Sequence, residues 1–109
     1  MIRVLRSVME QIDRVRQNYG DLEVNSQLGY LQIVIKNFSL PKQWGKEKGN
    51  LRITLPPGYP QEMPSNFSIQ LNDQYWKDYC WKPSHWNPVE DNLLKWIKLV
   101  EEFLKENHP

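Results

Sequence analysis

Four of the chain's eight prolines fall within one short stretch, LPPGYPQEMPSNFSI, at Pro56, Pro57, Pro60 and Pro64. Proline fixes φ and has no backbone N–H, so a central strand cannot run through such a stretch. Yet the runs on either side alternate as strands do. NLRITL places Leu51, Ile53 and Leu55 on one face, and NFSIQL places Phe67, Ile69 and Leu71 on one face. The stretch therefore reads as a stiff hinge between two strands, with Gly58 permitting a sharp bend. A pre-set turn fixes the angle between its strands with less entropy loss than a flexible one.

Upstream, DLEVNS and GYLQIVIKNFSL read as two further strands. In the second, Leu31, Ile33, Ile35 and Asn37 alternate with Tyr30, Gln32, Val34 and Lys36. The loop PKQWGKEKGN is polar, which makes Trp44 a candidate for exposure. Strands at short separations imply an antiparallel meander, and one apolar face needs a cover. Both ends of the chain supply helices. Ile2, Leu5, Met9, Ile12 and Val15 recur at helical spacing, with a stop near Gly20. Near the C-terminus, Asn87 reads as a cap, Pro88 as the first helical residue and Glu90 as the third position of a capping box. Leu93, Leu94, Ile97, Val100, Phe103 and Leu104 then form an apolar stripe. Between Asn72 and Trp86 there is no clean period, and the aromatic-rich segment is expected to be irregular but packed down. Trp76, Trp81 and Trp86 are expected mainly in the core. The expected fold is α+β, one domain over residues 1–109: helix, four-stranded antiparallel meander, irregular segment, helix.

Composition removes several functions. The net charge is +1 and no basic run accompanies the aromatics, so no nucleic-acid partner is expected. No apolar run is long enough to span a bilayer, and the amphipathic N-terminus carries acids, unlike a signal peptide. Cys80 is the single cysteine, so an internal disulfide is impossible and a reducing cytoplasm is the expected compartment. One cysteine and two histidines are too few for a usual structural zinc site; neither metal nor cofactor is expected.

The order of these features resembles the ubiquitin-conjugating (UBC) fold. In that superfamily a Tyr-Pro followed by Pro joins the third and fourth strands, as Tyr59, Pro60 and Pro64 do in this sequence. An active-cysteine segment, a Trp-x-Pro and a helix then follow; the counterparts are Cys80, Trp86-Asn87-Pro88 and the last helix. The prokaryotic family E of UBC-like proteins is similar in further detail: Leu40-Pro41, the Leu55-to-Tyr59 turn, Ser84-His85, and the run Trp86, Pro88, Asp91, Leu93. The resemblance implies a place in a bacterial ubiquitin-like conjugation operon, several of which are implicated in defence against phage. The implied partners are an activating enzyme, a ubiquitin-like protein and the amine of a target protein.

The resemblance implies a thioester on Cys80. Eukaryotic-type members assign oxyanion stabilisation to an asparagine eight residues before the cysteine, where Asn72 stands, though its His-Pro neighbours are absent. His85 is a second candidate donor or base. Each has a plainer reading: Cys80 as a small buried residue, Asn72 as a turn former, His85 as a backbone hydrogen-bonder, Asp91 as a helix N-terminal charge. Two functions stay open, a thioester carrier and a catalytically inactive UBC/RWD-like module that docks a ubiquitin-like protein or an activating enzyme.

Overall fold

The computed structural model describes residues 2–27, 30–45, 47–71, 75–87 and 91–107. Helix α1 (Ile2–Tyr19) leads into strands β1 (Leu22–Gln27), β2 (Tyr30–Ser39), β3 (Lys48–Leu55), β4 (Asn66–Gln70) and β5 (Lys77–Cys80), and α2 (Leu93–Glu106) follows. A single 3-10 turn, Lys42–Trp44, lies between β2 and β3. The strands form one antiparallel sheet in the order β1-β2-β3-β4-β5. The meander thus has five strands rather than four. The fifth comes from the aromatic segment expected to be irregular: Lys77, Asp78, Tyr79 and Cys80 pair with β4, from Ile69↔Lys77 to Asn66↔Cys80. Tyr79 carries it, stacking on Phe67 at 5.2 Å between ring centroids. A four-residue strand with one inward aromatic offers too little alternation to stand out in a sequence.

Both helices cover the same face of the sheet. Val8, Ile12 and Val15 of α1 join Leu93, Trp96, Ile97, Val100 and Leu104 of α2 over Ile33, Ile35, Phe38, Leu51, Ile53, Leu55, Phe67 and Ile69. Each such large side chain contributes ~1.5–3 kcal/mol on leaving water. On α1 the buried stripe runs through Val8, Ile12, Val15 and half-buried Tyr19, and Met9 is 41% exposed, contrary to the expected stripe. The side chains of Ile2 and Leu5 lie outside those described. α1 ends where Gly20, at φ +84°, returns its N–H to the Arg16 carbonyl at 2.8 Å.

A bulge in β2 reconciles its sequence with this core. Ile35 faces Leu51 and Phe38 faces Gly49, so Lys36 and Asn37 together oppose Asn50. Asn37 adopts φ 57°, which asparagine tolerates, and its N–H donates to Asn50 Oδ1 at 3.3 Å. The extra residue moves Asn37 off the apolar face and brings Phe38 into it.

The ends of α2 are tied by side chains. Its cap is Asn92, whose side chain accepts the Lys95 N–H at 2.9 Å, rather than the expected Asn87. Pro88 and Glu90 lie outside the described residues. Asn87 instead begins a turn: its N–H donates to Asp91 Oδ2 at 2.6 Å, and its carbonyl accepts the Asp91 N–H at 2.7 Å. At the other end, Trp44 is 3% exposed, not the surface residue its polar loop suggested. Its indole N–H donates to the Leu104 carbonyl at 2.9 Å, and Gln43 donates to the Lys105 carbonyl at 2.6 Å. These satisfy carbonyls that the end of a helix leaves orphaned.

The proline hinge is held through its carbonyls. The Trp86 indole donates to the Pro60 carbonyl at 2.7 Å and the Trp96 indole to the Pro64 carbonyl at 3.0 Å. The Tyr59–Pro60 peptide is cis. Tyr59 is buried, and its hydroxyl donates to Gln11 Oε1, which also accepts the Leu93 N–H at 3.0 Å. Gln11 thus joins α1, the hinge and the first turn of α2.

Three stability measurements follow from these contacts. Gln11→Ala strips the partner from the Tyr59 hydroxyl and the Leu93 amide, and chemical denaturation should register a loss of about 1–3 kcal/mol. A Cβ on Gly49 would lie 2.8 Å from the Gln70 backbone carbonyl, so Gly49→Ala should cost roughly 1–3 kcal/mol in the same assay. Burial pushes the Tyr59 phenol well above its ordinary value, and burial with the Glu101 hydrogen bond does so for Tyr19. Their neutral forms are favoured by folding, so that stability is complete below the ordinary tyrosine pKa and is lost as pH rises beyond about 10. Tyr59→Phe should flatten the alkaline fall of the unfolding midpoint.

Candidate functional site

Among the described residues no helix covers the second face of the sheet, and there the outward residues of β3, β4 and β5 meet. Pairing Arg52↔Ser68 and Ser68↔Asp78 puts three polar side chains in a row across three strands. Ser68 is buried, and its hydroxyl donates to Asp78 Oδ1. Arg52 Nη2 lies 3.4 Å from Ser68 Oγ and 3.6 Å from Asp78 Oδ1. The guanidinium also sits over the Trp76 ring, 4.5 Å from its centroid, which places Trp76 on this outer face.

Cys80 ends β5, two residues beyond Asp78 and on the same face. Its thiol is free and exposed. The sequence places it in an irregular segment; it lies instead at the end of an edge strand, paired with β4. Cys80, Asp78, Ser68, Arg52, Asn66 and Thr54 line an open cleft of about 440 Å³. The paired strands fix the order of these side chains, because alternate residues of a strand share a face.

His85 occupies a different place. It is exposed and lines a groove of about 240 Å³ with Trp86, Asp91, Lys95 and Leu99, against α2. Cys80 does not line that groove. Asp91 pairs with Lys95 Nζ at 2.6 Å, and that contact with the Asn87 N–H holds its carboxyl below the usual aspartate range. Asp91 therefore organises the approach to α2. Asn72, the third expected site residue, lies outside the described residues. Of the expected motif, Tyr59, Pro60 and Trp86 come together at the hinge, Pro64 is held by Trp96, and Pro88 lies outside the described residues.

The sequence reading missed Arg52, Ser68 and Asp78. The signal was the polar half of each alternating strand, but only the strand register shows that these residues are neighbours. Gln11 was missed too, since a glutamine on an amphipathic helix carries no local mark of a cap for another helix. Among the described residues, no cluster of three or more metal-ligating side chains occurs, and no helix is long and apolar enough to cross a membrane.

No protein-family model, curated protein or solved structure matches the chain.

Proposed function

We propose that the chain carries a ubiquitin-like protein. On this reading an activating enzyme delivers that protein as a thioester to Cys80, and an amine of a target protein then receives it. The setting is a cytoplasmic bacterial conjugation pathway of the kind implicated in antiphage defence, within the UBC superfamily. The observation that carries the reading is the placement of the lone cysteine. Its thiol is exposed at the end of an edge strand, in an open cleft on the outer face of the sheet. Thioester exchange needs such access from two sides, one for the donor thioester and one for the amine. Two further observations accord with it: the order helix, meander, cysteine, helix, and the seating of Tyr59, Pro60, Pro64 and Trp86 in one hinge.

A second reading has its own observation. His85 lines a groove apart from the cysteine's cleft, which leaves the thiol without that histidine as a base. This favours a catalytically inactive module that docks a ubiquitin-like protein or an activating enzyme through the same fold.

A charging assay separates the two. The chain is mixed with a candidate activating enzyme, its ubiquitin-like protein and ATP, then resolved on a non-reducing gel beside Cys80→Ala. A thiol-sensitive adduct present in the wild type and absent from Cys80→Ala is expected. If the activating enzyme charges itself but the chain does not, the docking module is the better account for that pair.

A further inference from the structure

We infer that the outward side of α2 is a self-association surface: two copies of this chain pair through it as antiparallel helices, with Leu99 at the two-fold axis. The inference goes beyond the carrier reading and does not depend on Cys80.

The surface is apolar at its centre. Leu99 is 37% exposed, unlike the buried Trp96, Ile97 and Val100 around it in the helix. One turn on, Phe103 is half-buried, its ring against Phe67 and Trp81. One turn back, a groove of about 240 Å³ runs beside the first half of α2, walled by Pro83, Trp86, Trp96 and Leu99 itself. Helix α1 packs on another flank, where its Tyr19 hydroxyl donates to Glu101. Glu101 is about 200° round the helix from Leu99, so this contact leaves the Leu99 side open.

The charge order along α2 selects a second copy as the occupant. Lys95 and Lys98 come first; Glu101, Glu102 and Glu106 come later, with Lys105 among them. The first turn of the helix holds no acid. A helix dipole favours the reverse, acids at the N-terminus and bases at the C-terminus. Lys98 before Glu102 is also the weaker order for a pair four residues apart. A lone helix gains little from such an arrangement, whereas an antiparallel copy sets the basic half of one helix against the acidic half of the other. The ions are available for this. Lys95 meets Asp91 and Glu102 meets Lys105, but their side chains are still 57% and 66% exposed. An ammonium has three donors and a carboxylate two acceptor oxygens, so each can take a second partner.

Helical spacing gives the register. Lys95, Leu99, Glu102 and Glu106 recur at three- and four-residue steps, which places them on one face. With Leu99 packed on its own copy, Lys95 lies four residues before the axis and Glu102 three residues after it. Across the antiparallel pair the two are offset by about 1.5 Å of rise, and Glu106 of the second copy lies less than one turn further on. Each Lys95 therefore falls between Glu102 and Glu106 of the second copy, and symmetry makes the contact twice. Phe103 of the second copy comes level with Lys95, over the groove beside Trp86 and Trp96. The helix is about 21 Å long, a small contact for which micromolar affinity is expected.

Analytical ultracentrifugation of the full chain in reducing buffer tests this, at about 10 to 300 μM, the range that brackets a micromolar contact. Circular dichroism confirms that each variant is folded. Wild type should pass from monomer to dimer as concentration rises, and Leu99→Glu should raise the dissociation constant by about tenfold or more. Lys95→Glu alone, and Glu102→Lys with Glu106→Lys, should each be monomeric, because like charges then meet across the axis. Mixed together, these two variants should form a heterodimer, since every facing pair is again of opposite charge. Wild type that stays monomeric throughout overturns the inference and leaves the face to a different protein. Dimerisation that Leu99→Glu does not weaken, or variants that fail to pair when mixed although wild type dimerises, overturns this surface and register. None of these outcomes bears on whether Cys80 carries a thioester, which the charging assay decides.

Discussion

Proline solves one problem in this chain and creates another. It stops the ladder between β3 and β4 and sets the turn, but it also removes donors while leaving carbonyls that must be satisfied. Two indoles meet that need. Trp86 donates to the Pro60 carbonyl and Trp96 to the Pro64 carbonyl, so the hinge is fastened both to the segment before α2 and to α2 itself. Gln11 completes the junction by accepting from Tyr59 and from the first amide of α2. The two helices and the sheet are thereby locked at one corner through side chains whose apolar rings already belong in or against the core.

That corner and the opposite end of α2 work alike. Trp44 buries its ring and donates to the last turn of the helix, next to Gln43. Three of the five tryptophans thus act as amphipathic pins, with an apolar body inside and an N–H directed to a backbone carbonyl. With both helices held on one face, the other face of the sheet carries the polar row Arg52, Ser68 and Asp78 across β3, β4 and β5. The cleft around Cys80 is a consequence of this asymmetry: Arg52, Ser68 and Asp78 are neighbours because three strands are in register, and among the described residues no helix crosses them.

Much of the architecture was legible along the chain. Alternation marked β2, β3 and β4, helical spacing marked α1 and α2, and the prolines marked the break between β3 and β4. These signals are local, each resting on the geometry of a few consecutive residues. The errors fell where a residue's fate depends on a distant partner. Trp44 sits among charged loop residues, and only contact with the end of α2 shows that it is buried. Asn87 and Asn92 are both plausible caps by type, and the turn closed by Asp91 selects the second. The bulge at Lys36 and Asn37 is invisible to strict alternation, because its reason is the pairing of Phe38 with Gly49.

The candidate site divides along the same line. The sequence alone determined that there is one thiol, that it follows the fourth strand, and that a proline hinge and two flanking helices frame it, since residue identity and short-range periodicity suffice for each. Tertiary structure decided that the thiol ends a fifth strand, that it faces the uncovered side of the sheet, and that His85 is turned to another groove. It also decided that Arg52, Ser68 and Asp78 share the thiol's cleft. The physical reason is pairing register: which side chains meet across β3, β4 and β5 depends on hydrogen bonds between segments that the sequence keeps far apart.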